Sequence, residues 1–485
     1  MKRVSTGIAE LDLVLRGGFM PGSLVVIAGA PGSGKTILAQ QICFANAHPD
    51  AKAIYYTTLS EPHSKLVDHL ESFSFFDSGA IGKSVEFRHL GALGNGAGDG
   101  QIAMSDVTTE VVRQAFDQRP SIIVIDSSKA LHETEGPGFR KAVYELASKV
   151  AHTDAVLMLV GEYEPEDVKS AAEFAVADAI LFLSNEPNGH ADRRWIRVSK
   201  LRGSDFLGGR HTFLIGDRGI AVYPRPEATL APPRTESEGR LSTGFTGLDE
   251  MMLGGIPSGS ATLVAGPSGA GKTVIGLQFL TEGLSRGERC LYVSFQESER
   301  QLVEKARNFG WGLADAVASG ALMVVHVQPV ELGLDVVAAE IRRAAVACAA
   351  KRVVIDSIAE LEHSANGQRF ADYLWALVGA LRHNGATTLL TSETSAFFGP
   401  AFELAHGLSY IADNVILLRY TELESEIHRA LVVVKMRDSD HVKSLVEFEI
   451  GPRGANVVGK FAGVSGVLSG TPTPTEQRFK EFFGR

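Results

Sequence analysis

Gly29-Ala30-Pro31-Gly32-Ser33-Gly34-Lys35-Thr36 follows the apolar run Leu24-Val25-Val26-Ile27-Ala28 and opens into Ile37-Leu38-Ala39-Gln40-Gln41-Ile42. The order reads strand, glycine loop, helix, and G-x-x-x-x-G-K-T is the pattern of a phosphate-binding loop. Gly29, Gly32 and Gly34 let successive backbone N–H groups, that of Ser33 among them, converge on phosphate oxygens at the positive end of the next helix. Lys35 has the reach for the β- and γ-phosphates of ATP, and Thr36 carries a hydroxyl suited to Mg2+. The competing reading is a glycine-rich turn with a chance lysine. The flanking strand and helix argue against it.

The same order recurs. Gly266-Pro267-Ser268-Gly269-Ala270-Gly271-Lys272-Thr273 follows Ala261-Thr262-Leu263-Val264-Ala265. Lys272 lies 237 residues after Lys35, and Ser242-Thr243-Gly244-Phe245-Thr246-Gly247-Leu248-Asp249 lies 237 residues after Ser5-Thr6-Gly7-Ile8-Ala9-Glu10-Leu11-Asp12. So long a period means two copies of one domain. In the second copy the candidate ATP-binding residues are Gly266, Ser268, Gly269, Ala270, Gly271, Lys272 and Thr273.

A chain of 485 residues accommodates two such domains. We expect a first domain over 1–223, a linker over 224–240, a second domain over 241–460 and a tail over 461–485. The stretch 224–238 is rich in Pro, Thr and charge and has no periodicity. Hydrophobic content of 45% and charged content of 21% suit a soluble globular protein. A net charge of −10 gives no general attraction for nucleic acid. No apolar signal core follows Met1-Lys2-Arg3, and the apolar runs are too short to span a bilayer, so the expected location is cytoplasmic. Cys43, Cys290 and Cys348 form no Cys-x-x-Cys pair and read as buried thiols of a reducing compartment.

β-rich runs at 53–58, 121–128 and 155–160 alternate with helical spacing at 65–76, 107–118 and 139–151, and 91–100 is a glycine-rich loop. The second copy repeats the strands at 289–295, 352–357 and 386–391. Alternation of this kind builds βαβ units. The fold class is α/β, with a mostly parallel twisted sheet flanked by helices in each domain.

Asp126 and Asp356 end apolar strands, where an acid reaches the magnesium shell beside the phosphate loop. With Thr36 and Thr273 they are the candidate metal residues. Glu61 and Glu297 also end strands and are candidates to orient the attacking water. Each also fits a surface glutamate at a helix start. Arg194…Lys200-Leu201-Arg202-Gly203-Ser204 recurs 235 residues later as Arg429…Lys435-Met436-Arg437-Asp438-Ser439. Lys-x-Arg on a strand sets two cations on one face. They either complete a neighbouring subunit's nucleotide site or form a solvated basic face, and spacing alone leaves the two even.

Together these residues resemble the KaiC-like circadian-clock ATPases of the RecA superfamily, over nearly the whole chain. The likeness rests on Ser-Thr-Gly-x-x-x-Leu-Asp before each loop, both phosphate loops and both Asp-Ser strand tips. It extends to the run from Ile411 to Tyr420, Lys435-Met436-Arg437, and Leu468-Ser469-Gly470-Thr471-Pro472-Thr473. The resemblance implies two stacked RecA-like rings in a homohexamer, with ATP between neighbours. It implies slow hydrolysis in the first ring, serine or threonine autophosphorylation and its reversal in the second, and a KaiB-like or other signalling protein as partner. On it, Arg194, Lys200, Arg202, Ser204, Arg429, Lys435, Arg437, Ser439 and His441 act in trans on the neighbour's ATP.

The chain also departs from the clock pattern. Clock members carry two adjacent glutamates after the second strand; here the pairs are Ser60-Glu61 and Gln296-Glu297, so either Glu61 and Glu297 take over the role of base or catalysis is weak. The Ser-Thr phosphosite aligns with Ser409-Tyr410, which leaves Ser409 as the candidate phosphoacceptor. The family's nucleotide-contacting His aligns with Phe206 in the first copy and His441 in the second. The tail is shorter, which argues against a partner that binds there. Three functions follow: an ATPase with autokinase activity at Ser409, an ATP-gated scaffold whose turnover times partner binding, and a RecA-type DNA-binding recombinase. The last needs basic or aromatic loops facing a pore, and the chain has no basic run.

Overall fold

The computed structural model describes residues 3–57, 63–90, 104–129, 138–164, 166–169, 171–188, 191–229, 239–327, 333–365, 367–394, 408–423, 425–437, 439–461, 464–465 and 473–474. The chain forms two compact units, Met1–Ala228 and Thr229–Arg485.

The strands of the first unit are β1 (Leu24–Gly29), β2 (Ala53–Thr57), β3 (Val85–His89), β4 (Ile122–Asp126), β5 (Val156–Glu162), β6 (Ala179–Asn188), β7 (Ala191–Leu201), β8 (Arg210–Gly216) and β9 (Gly219–Tyr223). They lie in one sheet in the order β3-β2-β4-β5-β1-β6-β7-β8-β9. From β3 to β6 neighbours run parallel; from β6 to β9 they are antiparallel. Every residue of β1 is buried, because a parallel sheet is covered on both faces. Alternation along β1 divides the core. Val25 and Ile27 join Leu38 and Ile42 of helix Lys35–Asn46 on one face. Leu24, Val26 and Ala28 face helices Met104–Asp117 and Gly138–Val150 on the other.

The second unit begins with β10 (Arg240–Leu241) and β11 (Ile256–Pro257), which pair with each other. Its main sheet comprises β12 (Ala261–Gly266), β13 (Cys290–Ser294), β14 (Leu322–His326), β15 (Arg352–Asp356), β16 (Thr387–Glu393), β17 (Asn414–Leu423), β18 (Glu426–Met436), β19 (Val446–Gly451) and β20 (Gly454–Lys460). Their order, β14-β13-β15-β16-β12-β17-β18-β19-β20, repeats that of the first unit. A short pair, Val464–Ser465 with Thr473–Pro474, follows. The chain thus has two α/β domains with mostly parallel sheets, the arrangement of tandem RecA-like domains. Among the described residues, no helix is long and apolar enough to cross a membrane.

The repeated Ser-Thr-Gly motif proves to be a clasp. The Asp12 carboxylate accepts from the Thr6 backbone N–H (2.7 Å) and the Ser5 hydroxyl. Asp249 does the same for Thr243 (2.8 Å) and Ser242 (2.6 Å). Gly7 between them has φ +76°, and a Cβ there would lie 2.2 Å from that of Ala45.

Several local expectations shift. Helix 65–76 is shorter, His63–Leu70. The aromatics that follow cannot share one helical face, and Phe73 stacks on Phe75 (5.2 Å) while Phe76 meets Phe44 edge-on (5.4 Å). Of the run from Ile411 to Tyr420, Ile411 ends a short helix, Leu408–Ile411, and Asn414 to Tyr420 belong to β17. The first unit extends past Tyr223, since the Arg225 backbone N–H donates to His211 Nδ1 (3.0 Å) and its guanidinium to the Gly208 carbonyl (2.9 Å). Glu61, the loop at 91–100, residues 230–238 and most of the tail lie outside the described residues. All three cysteines are buried.

Helix Glu299–Arg307 starts with a capping box between Ser298 and Gln301. Glu297 therefore does not cap it. Ser298→Ala is expected to cost about 1 kcal/mol and to speed amide hydrogen exchange in that helix's first turn.

Candidate nucleotide-binding sites

In each unit the phosphate loop joins the central strand to a buried helix. The strand brings the loop glycine against its neighbour: at Gly29 (φ +151°) a Cβ would lie 2.0 Å from the Leu183 carbonyl oxygen. Gly34 and Gly271, left-handed at φ 99° and 106°, precede the first residues of helices Lys35–Asn46 and Lys272–Ser285. Lys35 Nζ donates to the Ala30 carbonyl (2.8 Å), and Lys272 Nζ to those of Gly266 and Pro267 (2.8 Å each). Both ammonium groups thus lie inside the curve of their own loop. Burial lowers the pKa of each; Glu162, Asp126 and Glu164 counter it at Lys35, and Glu393, Asp356 and Glu360 at Lys272.

The strand-end acids meet the loop threonines. Thr36 Oγ1 donates to Asp126 Oδ2 (2.9 Å), and Thr273 Oγ1 to Asp356 Oδ2 (2.7 Å). With its proton given to a carboxylate, a threonine hydroxyl keeps lone pairs for a cation. Hydroxyl and carboxylate oxygens suit hard Mg2+. The loops suit a polyphosphate: each has an ammonium inside its curve, buried at Lys35 and half-buried at Lys272, and a helix N-terminus, and the Ser33 hydroxyl is buried with no partner among the described residues. When bound, Mg2+ would neutralise charge on the β- and γ-phosphates.

Some contacts escaped the sequence reading. Tyr55 and Tyr292 donate to the same Oδ2 atoms of Asp126 and Asp356, at 2.6 Å each. Burial holds both phenols well above their usual pKa, so both are protonated donors. Thr391 donates to Asp356 Oδ1. Glu162 and Glu393 pair in register with the first loop glycines, Gly29 and Gly266. In the first unit a cavity of about 430 Å3 opens at Thr36, Ile37 and Gln40 and continues along Asp68, His69, Ser72 and Phe73. That volume lies in the range of small-molecule sites.

The candidate base of the second unit is engaged elsewhere. Glu297 forms an ion pair with Lys305, and its backbone N–H donates to Ser294 Oγ (2.9 Å). Gln296, in the place of the missing glutamate, donates to Glu360.

The repeated cations divide into two groups. Arg194 donates to the Gly32 carbonyl of its own loop (2.9 Å). Arg429 lies over the Tyr420 ring (5.8 Å), whose hydroxyl reaches the Ser268 carbonyl (3.4 Å). Lys200 donates to the carbonyls of Phe174 (3.2 Å) and Ala175 (3.1 Å), and Arg202 pairs with Asp178 (3.4 Å). Lys435 donates to the Ala412 carbonyl (2.9 Å), and Arg437 to that of Tyr410 (3.1 Å). Each Lys-x-Arg pair therefore holds the C-terminal end of a short helix of its own unit, where cations are favoured. Ser204 and Ser439 donate to the carbonyls of Asp205 and Asp440, and the His441 backbone N–H to the Asp440 carboxylate. Ser409 lies on helix Leu408–Ile411.

Comparison with known proteins matches the sequence to a family. The model of the family described as "ATPase: KaiC" matches residues 4–227 and again 241–461. The chain is 28% identical to the circadian clock oscillator protein KaiC of Picosynechococcus sp. over 483 residues, 98% of this chain and 93% of that protein. It is 29% identical to the circadian clock protein KaiC3 of Synechocystis sp. over 489 residues, covering 98% and 96%. Two matches to the family model, each on a unit with its own phosphate loop and acid-tipped strand, place this chain in the KaiC family of ATPases.

Proposed function

We propose that both units bind Mg-ATP, that the first hydrolyses it with Glu61 orienting water, and that the second transfers phosphate to Ser409 with the help of Glu297. The observation that supports this most is the duplicated contact from loop threonine to strand-end aspartate, beside a lysine that donates to carbonyls of its own loop. The cavity running from Thr36 to Phe73 has room for the nucleoside. In a cytoplasmic double-ring homohexamer, Lys200, Arg202, Lys435 and Arg437, which hold helix ends of their own unit in the single chain, turn with Ser204, Ser439 and His441 to a neighbour's nucleotide. A KaiB-like or other signalling protein reads its state.

A second reading is favoured by a specific contact: Lys305 holds Glu297, and Glu360 holds Gln296. Turnover in the second unit is then too slow for a kinase, and the chain is an ATP-gated scaffold.

Incubation with labelled ATP, followed by intact and phosphopeptide mass spectrometry, separates the two. Glu61→Gln is expected to lower phosphate release and leave the mass on Ser409; Glu297→Gln is expected to do the converse. A Ser409 that stays unmodified through the nucleotide cycle leaves the scaffold. Light scattering tests assembly: a slowly hydrolysed ATP analogue is expected to convert the chain to hexamers, and a nucleotide-loaded monomer refutes the ring.

A further inference from the structure

We infer that Tyr55 and Tyr292 are positioning residues for the metal, each fixing the aspartate that orients the loop threonine. The inference rests on the Mg-ATP reading above. A threonine hydroxyl has one proton. It offers a lone pair to a cation when that proton points elsewhere, and here it points to Asp126 Oδ2 or Asp356 Oδ2. An aspartate carboxyl has a broad terminal torsion and does not hold one orientation unaided. The tyrosine supplies the constraint. Tyr55 is on β2, two residues before Thr57, which pairs with Asp126; Tyr292 is on β13, two before Ser294, which pairs with Asp356. Both side chains are 1% exposed, so the rings are fixed by packing. Each hydroxyl reaches the oxygen that the threonine also uses.

The two copies of the arrangement share one geometry. The neighbouring oxygen does not: Thr391 holds Asp356 Oδ1, whereas the residue paired with Asp126 on the adjacent strand is Val160. The first unit relies on its tyrosine more heavily. Partners that orient metal ligands in this way set metal affinity through geometry rather than contact.

The test is Mn2+ binding, followed by electron paramagnetic resonance, to the full chain saturated with a slowly hydrolysed ATP analogue. Tyr55→Phe and Tyr292→Phe each remove one oxygen and keep the ring. Each is expected to weaken Mn2+ about 10-fold at its own unit and leave the other unit as internal control, with the larger loss for Tyr55→Phe. On an Asp126→Asn background, Tyr55→Phe is expected to add almost nothing, because neighbours that act through one another are not additive. A purely structural tyrosine would lower the unfolding midpoint and leave Mn2+ affinity unchanged. Wild-type Mn2+ uptake with unchanged or tighter binding in both variants overturns this inference alone. No Mn2+ uptake by the wild type overturns the ATP reading with it.

Discussion

Lys35→Ala and Lys272→Ala each lower turnover at one unit about 100- to 1,000-fold, the loss expected when a donor aimed at developing phosphate charge is removed. Each ammonium lies inside the curve of its own loop and faces three carboxylates. Single-turnover kinetics and nucleotide retention on the two single variants and the double variant check it. Unchanged ATP affinity in the double variant refutes the assignment of both loops.

Arg352→Ala carries the largest expected effect on stability. Arg352 is fully buried at the start of β15. It forms an ion pair with Glu288, donates to the carbonyls of Ser242 (2.6 Å) and Phe279 (2.9 Å), and stacks on the Phe279 ring at 4.6 Å. Helix Lys272–Ser285 makes room for it at Gly283, where a Cβ would lie 2.5 Å from the guanidinium stem. Removing it leaves Glu288 and two carbonyls without their partner around a cavity, at a cost of about 3–5 kcal/mol. Hydrogen exchange is expected to accelerate throughout Lys272–Ser285 and to stay unchanged in Lys35–Asn46. Arg352→Met fills the space and is expected to cost less.

The phosphate loops, the acid-tipped strands and the duplicated α/β order were legible because each is local: the spacing of a few residues states its own chemistry. Tyr55 and Tyr292 were not. Each reads as one more β-former in a buried strand, and its partner lies 71 or 64 residues away, brought alongside only by strand order. The same limit applies to Glu162 and Glu393, whose position beside the loop depends on which strand neighbours β1 or β12. The Lys-x-Arg repeat was visible as a pair of cations, but the helix ends they hold are set by the pairing of β7 with β6 and β18 with β17. Gln296 was visible as a departure; its attachment to Glu360 was not.

Arg352 has a consequence for temperature. The hydration of charged groups becomes less favourable on warming, so the penalty for burying the guanidinium shrinks as the solution is heated. Strand β4 of the first unit begins with Ile122 where β15 begins with Arg352, and that apolar contribution levels off instead. At this one position the two copies therefore drift apart with heat: the second draws more of its cohesion there from charge as temperature rises, and the first does not.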